Sequence, residues 1–148
     1  MEDSEFHRPE SVLVVVYTQD YHCLLLERVD PSSFWQSVTG TLLWGESPAA
    51  AAAREVMEEA GLTPTTLVDS GIGKRFPILP AWRARYGADV QENLEHLWYM
   101  EVPEVCPVIL NSKEHSAYRW LGLEDAILSA SSWTNREAFE RLRDNDAS

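Results

Sequence analysis

The chain has 148 residues, 45% of them hydrophobic and 10% aromatic, which suits a single domain over residues 1–148 and excludes a disordered chain. Its formal net charge of −12 excludes a broad nucleic-acid footprint or an anionic membrane surface as a partner. A small anionic ligand is compatible with that charge only with help from a local basic patch or bound cations.

The start, MEDSEFHRPE, is acidic and polar and does not read as a signal peptide. The longest apolar run, VLVVVY, is too short to span a bilayer, so a cytoplasmic protein is expected. Cys23 and Cys106 match no metal spacing and are expected as buried thiols.

Ser11 to Tyr17 is a β-branched, continuous apolar run and predicts a strand buried on both faces. His22 to Arg28 predicts its hairpin partner across TQDY. QSVTG and TLLW suggest short strands around Gly40. Ser47 as N-cap, Pro48 at the first helical position and Gly61 just past the end predict a helix up to Ala60. TLVDSGI reads as a strand, and residues 73–89 as a long loop broken by prolines and glycines. Strands follow at Leu94 to Val102 and Ala117 to Leu121, then a short helix from Leu123 to Ser129. A last helix is expected from the capping-box spacing of Thr134 and Glu137. This order predicts an α/β or α+β sandwich.

On the helix from Ser47, Ala49, Ala52, Ala53, Val56 and Ala60 share one face. Glu55, Glu58 and Glu59 gather roughly 120° away, which predicts docking by the alanines and an outward acid cluster. The acids repel one another near a helix C-terminus, where the macrodipole also disfavours them. A compensating cation explains such a cluster, and oxygen ligands suit Mg²⁺ or Mn²⁺. On the helix alone, a solvated acidic face paired with Arg54 explains it equally well.

The spacing decides. Gly40, Glu46, Arg54-Glu55-Val56, Glu58-Glu59 and Gly61-Leu62 follow G-x5-E-x7-R-E-U-x-E-E-x-G-U, where U is a bulky aliphatic residue. Its seven fixed letters match by chance on the order of 1 in 10⁸ per window. This segment resembles the signature of the Nudix family, mostly hydrolases of nucleoside diphosphates linked to another group. The resemblance implies an α/β fold, an α/β/α sandwich with a mixed central sheet. It also implies Glu55 and Glu59 as metal ligands, Glu58 as an additional one, and Gly40 as a backbone-carbonyl ligand. Glu46 and Arg54 become a structural brace. The implied cofactor is Mg²⁺, with Mn²⁺ able to substitute.

Phrases outside the signature, RPESVLVVVY, FWQSVTG, RARYG, EHSAYRWL and SSWTNREAFE, resemble one subgroup that hydrolyses dihydroneopterin triphosphate to the monophosphate and pyrophosphate. That resemblance adds Glu114 as a further ligand and makes Glu55, Glu58, Glu59 and Glu114 the implied catalytic set. It implies substrate contacts at Arg28 and Ser132, with Thr39 a further candidate and His7 standing where the subgroup can carry Lys; Phe76 is a substrate-contact candidate as an aromatic that could stack on a flat ring. Lys74, Arg75, Arg83 and Arg85 lie in an acid-free stretch and suggest a phosphate-facing patch. Phe34, Trp35, Trp82 and Trp133 are further candidates to stack on a flat ring. His96 and His115 read as structural residues. The expected partner is a small-molecule triphosphate, with no nucleic acid, membrane or obligate protein partner. Two alternatives remain: a house-cleaning nucleoside triphosphate pyrophosphatase and an inactive sensor on the same fold. Activity on each triphosphate discriminates them.

Overall fold

The computed structural model describes residues 6–64 and 66–147. Seven strands form one mixed sheet: β1 (Glu10–Thr18), β2 (His22–Arg28), β3 (Trp35–Gln36), β4 (Val38–Thr41), β5 (Leu67–Pro77), β6 (Glu92–Val102) and β7 (His115–Gly122). Helix α1 (Pro48–Ala60) precedes β5, and α2 (Leu123–Ser129) and α3 (Trp133–Ala147) follow β7. β1 pairs parallel with β6, and every other pairing is antiparallel.

β1 is apolar from Val12 to Val16, where helices cover both faces of the sheet. Val12, Val14 and Val16 pack with Ala52, Val56 and Met100 on the α1 side. Leu13 and Val15 pack with Leu97, Ala138 and Phe139 on the α3 side. The result is an α/β/α sandwich.

The sheet forks at one edge of β1. β2 meets β1 only at Tyr17↔Cys23, whereas β4 takes the same edge from Ser11 to Val14. The chain crosses from the β2 branch to the β4 branch at Ser37, which is buried. Asn135 of α3 fixes that crossing. Its Oδ1 accepts from the Ser37 amide at 2.7 Å and its Nδ2 donates to the Ser37 hydroxyl at 2.9 Å. The cleft between the branches is where the acidic end of α1 lies.

Several expectations change. The strand expected in TLLW ends at Thr41, because Leu42 to Gly45 turn back toward Glu46. Residues 73–89 are not one loop. β5 runs on to Pro77, and Pro80–Arg85 forms a 3-10 helix. The strand survives its glycines and proline because it is the sheet edge, and a register shift between Asp69 and Ile72 absorbs Gly71 at φ 76°. The cap of α3 is Ser132, whose hydroxyl accepts from the Asn135 amide, while Thr134 is buried inside the first turn. Ala51, Ala52, Val56 and Ala60 dock α1. Ala49 is exposed and Ala53 only half-buried. Cys23 is buried as expected, but Cys106 is partly exposed. Among the described residues, no helix is long and apolar enough to cross a membrane.

Candidate active site

The loop from Gly40 to Glu46 is folded around Arg54. Its guanidinium donates to both Glu46 oxygens at 2.8 and 2.9 Å and to the Thr41 carbonyl at 3.1 Å. The Leu43 amide closes the loop onto Glu46 at 2.9 Å. The Ser47 hydroxyl caps α1 by accepting from the Ala50 amide, and Gly61 ends it at φ 64°. Arg54 also reaches Glu55 at 3.0 Å and Glu58 at 3.3 Å. One residue therefore ties the loop to the acidic face of the helix.

Glu55, Glu58 and Glu59 offer oxygens that all lie within 4.8 Å of one another. They do not all face outward. Glu55 and Glu59 are only 7% and 6% exposed, whereas the Glu58 side chain is 51% exposed. The docked side of the helix is broader than the alanine stripe, because β4 and β7 close over these two acids. Burial pushes the Glu55 carboxyl up to about 7, against the pull of Arg54 and helped by Glu59 and Glu58. A Cβ built on Gly40 would land on the Glu55 carboxylate, so only glycine leaves room for it there. Two buried carboxylates and a third beside them, all oxygen donors, fit a hard divalent cation.

Glu59 has a buried partner in His115, a residue expected from the sequence only as structural. His115, at the start of β7, is buried, with Nδ1 3.1 Å from Glu59 Oε1 and Nε2 3.1 Å from Gln36 Nε2. The amide N–H of Gln36 donates to Nε2, which leaves the proton on Nδ1 to donate to Glu59. The available signal was its place next to Glu114 in EHSAYRWL, opposite Arg28 in the ladder with β2.

Glu114 is exposed and stands outside the three-glutamate cluster. Its carbonyl accepts from the Val29 amide at 2.9 Å, and its charge acts on Arg28. Arg28 is half-buried, feels Glu114 and Glu59, donates to the Asp30 carbonyl at 3.0 Å, and lies 5.2 Å from the Trp82 ring centroid. Trp82 also meets Phe34 edge-on and Arg85 at 5.9 Å. An aromatic and cationic wall therefore stands beside the acid cluster.

The other predicted contacts spread along the cleft. His7 is exposed, its amide bonds the Arg85 carbonyl at 2.7 Å, and its ring meets Tyr86 edge-on. Thr39 donates to the Val12 carbonyl at 2.9 Å. Phe76 is half-buried opposite Asn93, and Ser132 caps α3. The four-residue basic patch is dispersed. Lys74 is bound to Glu137 at 2.6 Å, Arg75 is exposed on β5 opposite Leu94, and Arg83 borders a separate surface pocket with Asp89, while Arg85 shares the Trp82 ring with Arg28. Trp35 stacks under Arg119, away from the role of a free stacking surface.

A mixed sheet between helices, carrying a glycine-to-glutamate loop braced on a carboxylate-bearing helix, defines a Nudix hydrolase. The NUDIX domain matches residues 7–142, and the chain belongs to that family. The chain is 38% identical over 152 residues to dihydroneopterin triphosphate diphosphatase of Escherichia coli K12, covering 99% of this chain and 100% of that one. It is 36% identical over 143 residues to the Haemophilus influenzae protein of the same name, covering 93% and 89%. The solved structure of the E. coli dihydroneopterin triphosphate pyrophosphohydrolase superposes with a TM-score of 0.86 at 38% identity, covering 92% of this chain and 95% of that one. Nudix hydrolases generally use a divalent metal and act on small-molecule phosphates.

Proposed function

We propose that this chain, as one domain over residues 1–148, hydrolyses 7,8-dihydroneopterin triphosphate to dihydroneopterin monophosphate and pyrophosphate. The working cation is Mg²⁺, with Mn²⁺ able to substitute. One observation carries the reading: an intact carboxylate cluster stands in a chain similar along nearly its whole length to enzymes of that name. The cytoplasmic setting belongs to the same proposal and rests on those bacterial relatives.

Glu55, Glu58 and Glu59 would hold the cation, with the Gly40 carbonyl and the more distant Glu114 as further ligands. When bound, the cation neutralises phosphate charge and makes water nucleophilic at neutral pH. Arg28 binds the phosphates from the opposite branch of the cleft, braced on Trp82. His115 holds Glu59 in one orientation by donating from Nδ1. Water oxygen bonds to phosphorus, the bond between the α- and β-phosphates breaks, and pyrophosphate leaves. A carboxylate holds the proton lost by the water. Glu58 is the member with access to bulk water, and Glu55 and Glu114 are the other eligible acids. His7, Thr39, Phe76 and Ser132 line the path of the rest of the substrate.

Phosphorus NMR of the products tests the reading. Equimolar pyrophosphate and dihydroneopterin monophosphate are expected. Orthophosphate with the diphosphate, or no turnover at saturating Mg²⁺ or Mn²⁺, refutes it.

A further inference from the structure

A row of polar side chains crosses the α3 face of the sheet where the apolar core ends. Ser11 stands opposite Thr41 on one side and Glu95 on the other, and Glu95 stands opposite Lys74. Cross-strand partners share a face. Leu97, two residues along β6 from Glu95, packs in the α3-side core. Glu95 is 8% exposed and is hydrogen-bonded by Thr134 of α3. Its ladder neighbour Lys74 is engaged with Glu137. Asn93, 5% exposed, donates from Nδ2 to the Ser11 hydroxyl at 2.8 Å, and its Oδ1 has no hydrogen-bond partner. A buried acceptor left unpaired and a buried carboxylate with one hydroxyl donor are costly without further donors.

The row and the acid cluster meet at β4, on its two faces. Thr39 and Thr41 lie on the row's face, and Gly40 between them turns to the α1 face and abuts Glu55. Tyr86 is hydrogen-bonded with Thr41, and its ring meets His7. The same 3-10 segment carries Trp82 onto Arg28. Phe76 stands opposite Asn93 and supplies an apolar side. Glu95 lies two strands from β4, about 10 Å at ordinary strand spacing. That span is on the scale of a bicyclic ring and its three-carbon side chain.

We propose that Glu95, with the Asn93 carbonyl oxygen beside it, reads the 2-amino-4-oxo pyrimidine edge of the substrate ring. The assignment rests on the pterin triphosphate reading above and deepens it. That edge presents two parallel donors, a ring N–H and the 2-amino group, and a carboxylate accepts both at once. The second amino hydrogen is left for Asn93 Oδ1. Guanine carries the same donor pair, whereas adenine presents a ring acceptor in place of the ring N–H. Glu95 is therefore a specificity-determining residue. Burial pushes its carboxyl up to about 7, with Thr134 pulling the other way, consistent with the lack of a cationic partner.

The test compares wild type with Glu95→Gln on dihydroneopterin triphosphate, dGTP and dATP. The variant should raise KM at least tenfold for the first two and change kcat less than threefold. Its KM for dATP should move less than twofold. Equal loss on all three, or no change on any, overturns the proposal. Should the variant not fold, wild type alone decides through inhibition without added phosphates. Guanosine and 7,8-dihydroneopterin should compete and adenosine should not, and equal inhibition by adenosine overturns the assignment. A wild type that turns over dGTP but not dihydroneopterin triphosphate refutes the substrate reading, while the guanine-to-adenine comparison still tests Glu95.

Discussion

His115 holds Glu59 across the cleft: its Nδ1 lies 3.1 Å from Glu59 Oε1, and both side chains are buried. The bond joins the signature helix to β7, 56 residues further on. Removing the donor frees a carboxylate that the proposed cation site needs fixed. His115→Ala should lower apparent Mg²⁺ affinity 10- to 100-fold, and His115→Asn should restore part of it. Mg²⁺ titrations of pyrophosphate release, with Mn²⁺ binding followed by EPR, check this. Unchanged Mn²⁺ affinity would confine His115 to packing.

Gly40 has no room for a side chain. Its Cβ would occupy the position of the Glu55 carboxylate, so Gly40→Ala displaces that acid. Turnover should fall on the order of 10²-fold or more through loss of cation binding. Gly122→Ala is the control, because a Cβ there meets nothing, and its turnover should match wild type.

Arg54 works through its fork. It bonds both Glu46 oxygens, a geometry lysine cannot reproduce. Arg54→Lys should cost about 1–3 kcal/mol in urea unfolding and lower turnover at least tenfold. Because Glu46→Gln breaks the same brace, the double variant should cost little more than either single one. Additive losses would show that the two residues act separately.

Glu95 gives the apoprotein a pH signature. Its folded-state carboxyl is raised to about 7, above the ordinary value of 4.5. The folded state therefore keeps a proton that the unfolded state releases. Its contribution to stability is full below about pH 4.5 and is lost as pH rises through about 7, by up to about 3 kcal/mol. Glu95→Gln should flatten the fall in unfolding free energy between pH 4.5 and 8. An unchanged slope would mean that Glu95 titrates normally.

The parts of the molecule legible in the sequence were those with local causes. Ser47, Pro48 and Gly61 fix α1 by caps, and the apolar run of β1 reports burial on both faces. The acid cluster was legible through spacing alone. Its burial was not, because the walls are Gly40 on β4 and His115 on β7, and only the folded sheet brings those strands over the helix. β5 extends beyond the strand expected at TLVDSGI because an edge strand tolerates glycine and proline that a central strand would not. The burial of Glu95 is illegible for a related reason. In a strand that alternates, an acid reads as solvent-facing, but here α3 lies on that face.

The central claim is tested most directly by kcat/KM for dihydroneopterin triphosphate against a panel of deoxynucleoside triphosphates at saturating Mg²⁺. The account predicts that the pterin substrate leads the panel, with pyrophosphate as its product. Turnover of any nucleotide a hundredfold faster than the pterin would contradict it and leave a nucleotide pyrophosphatase in its place.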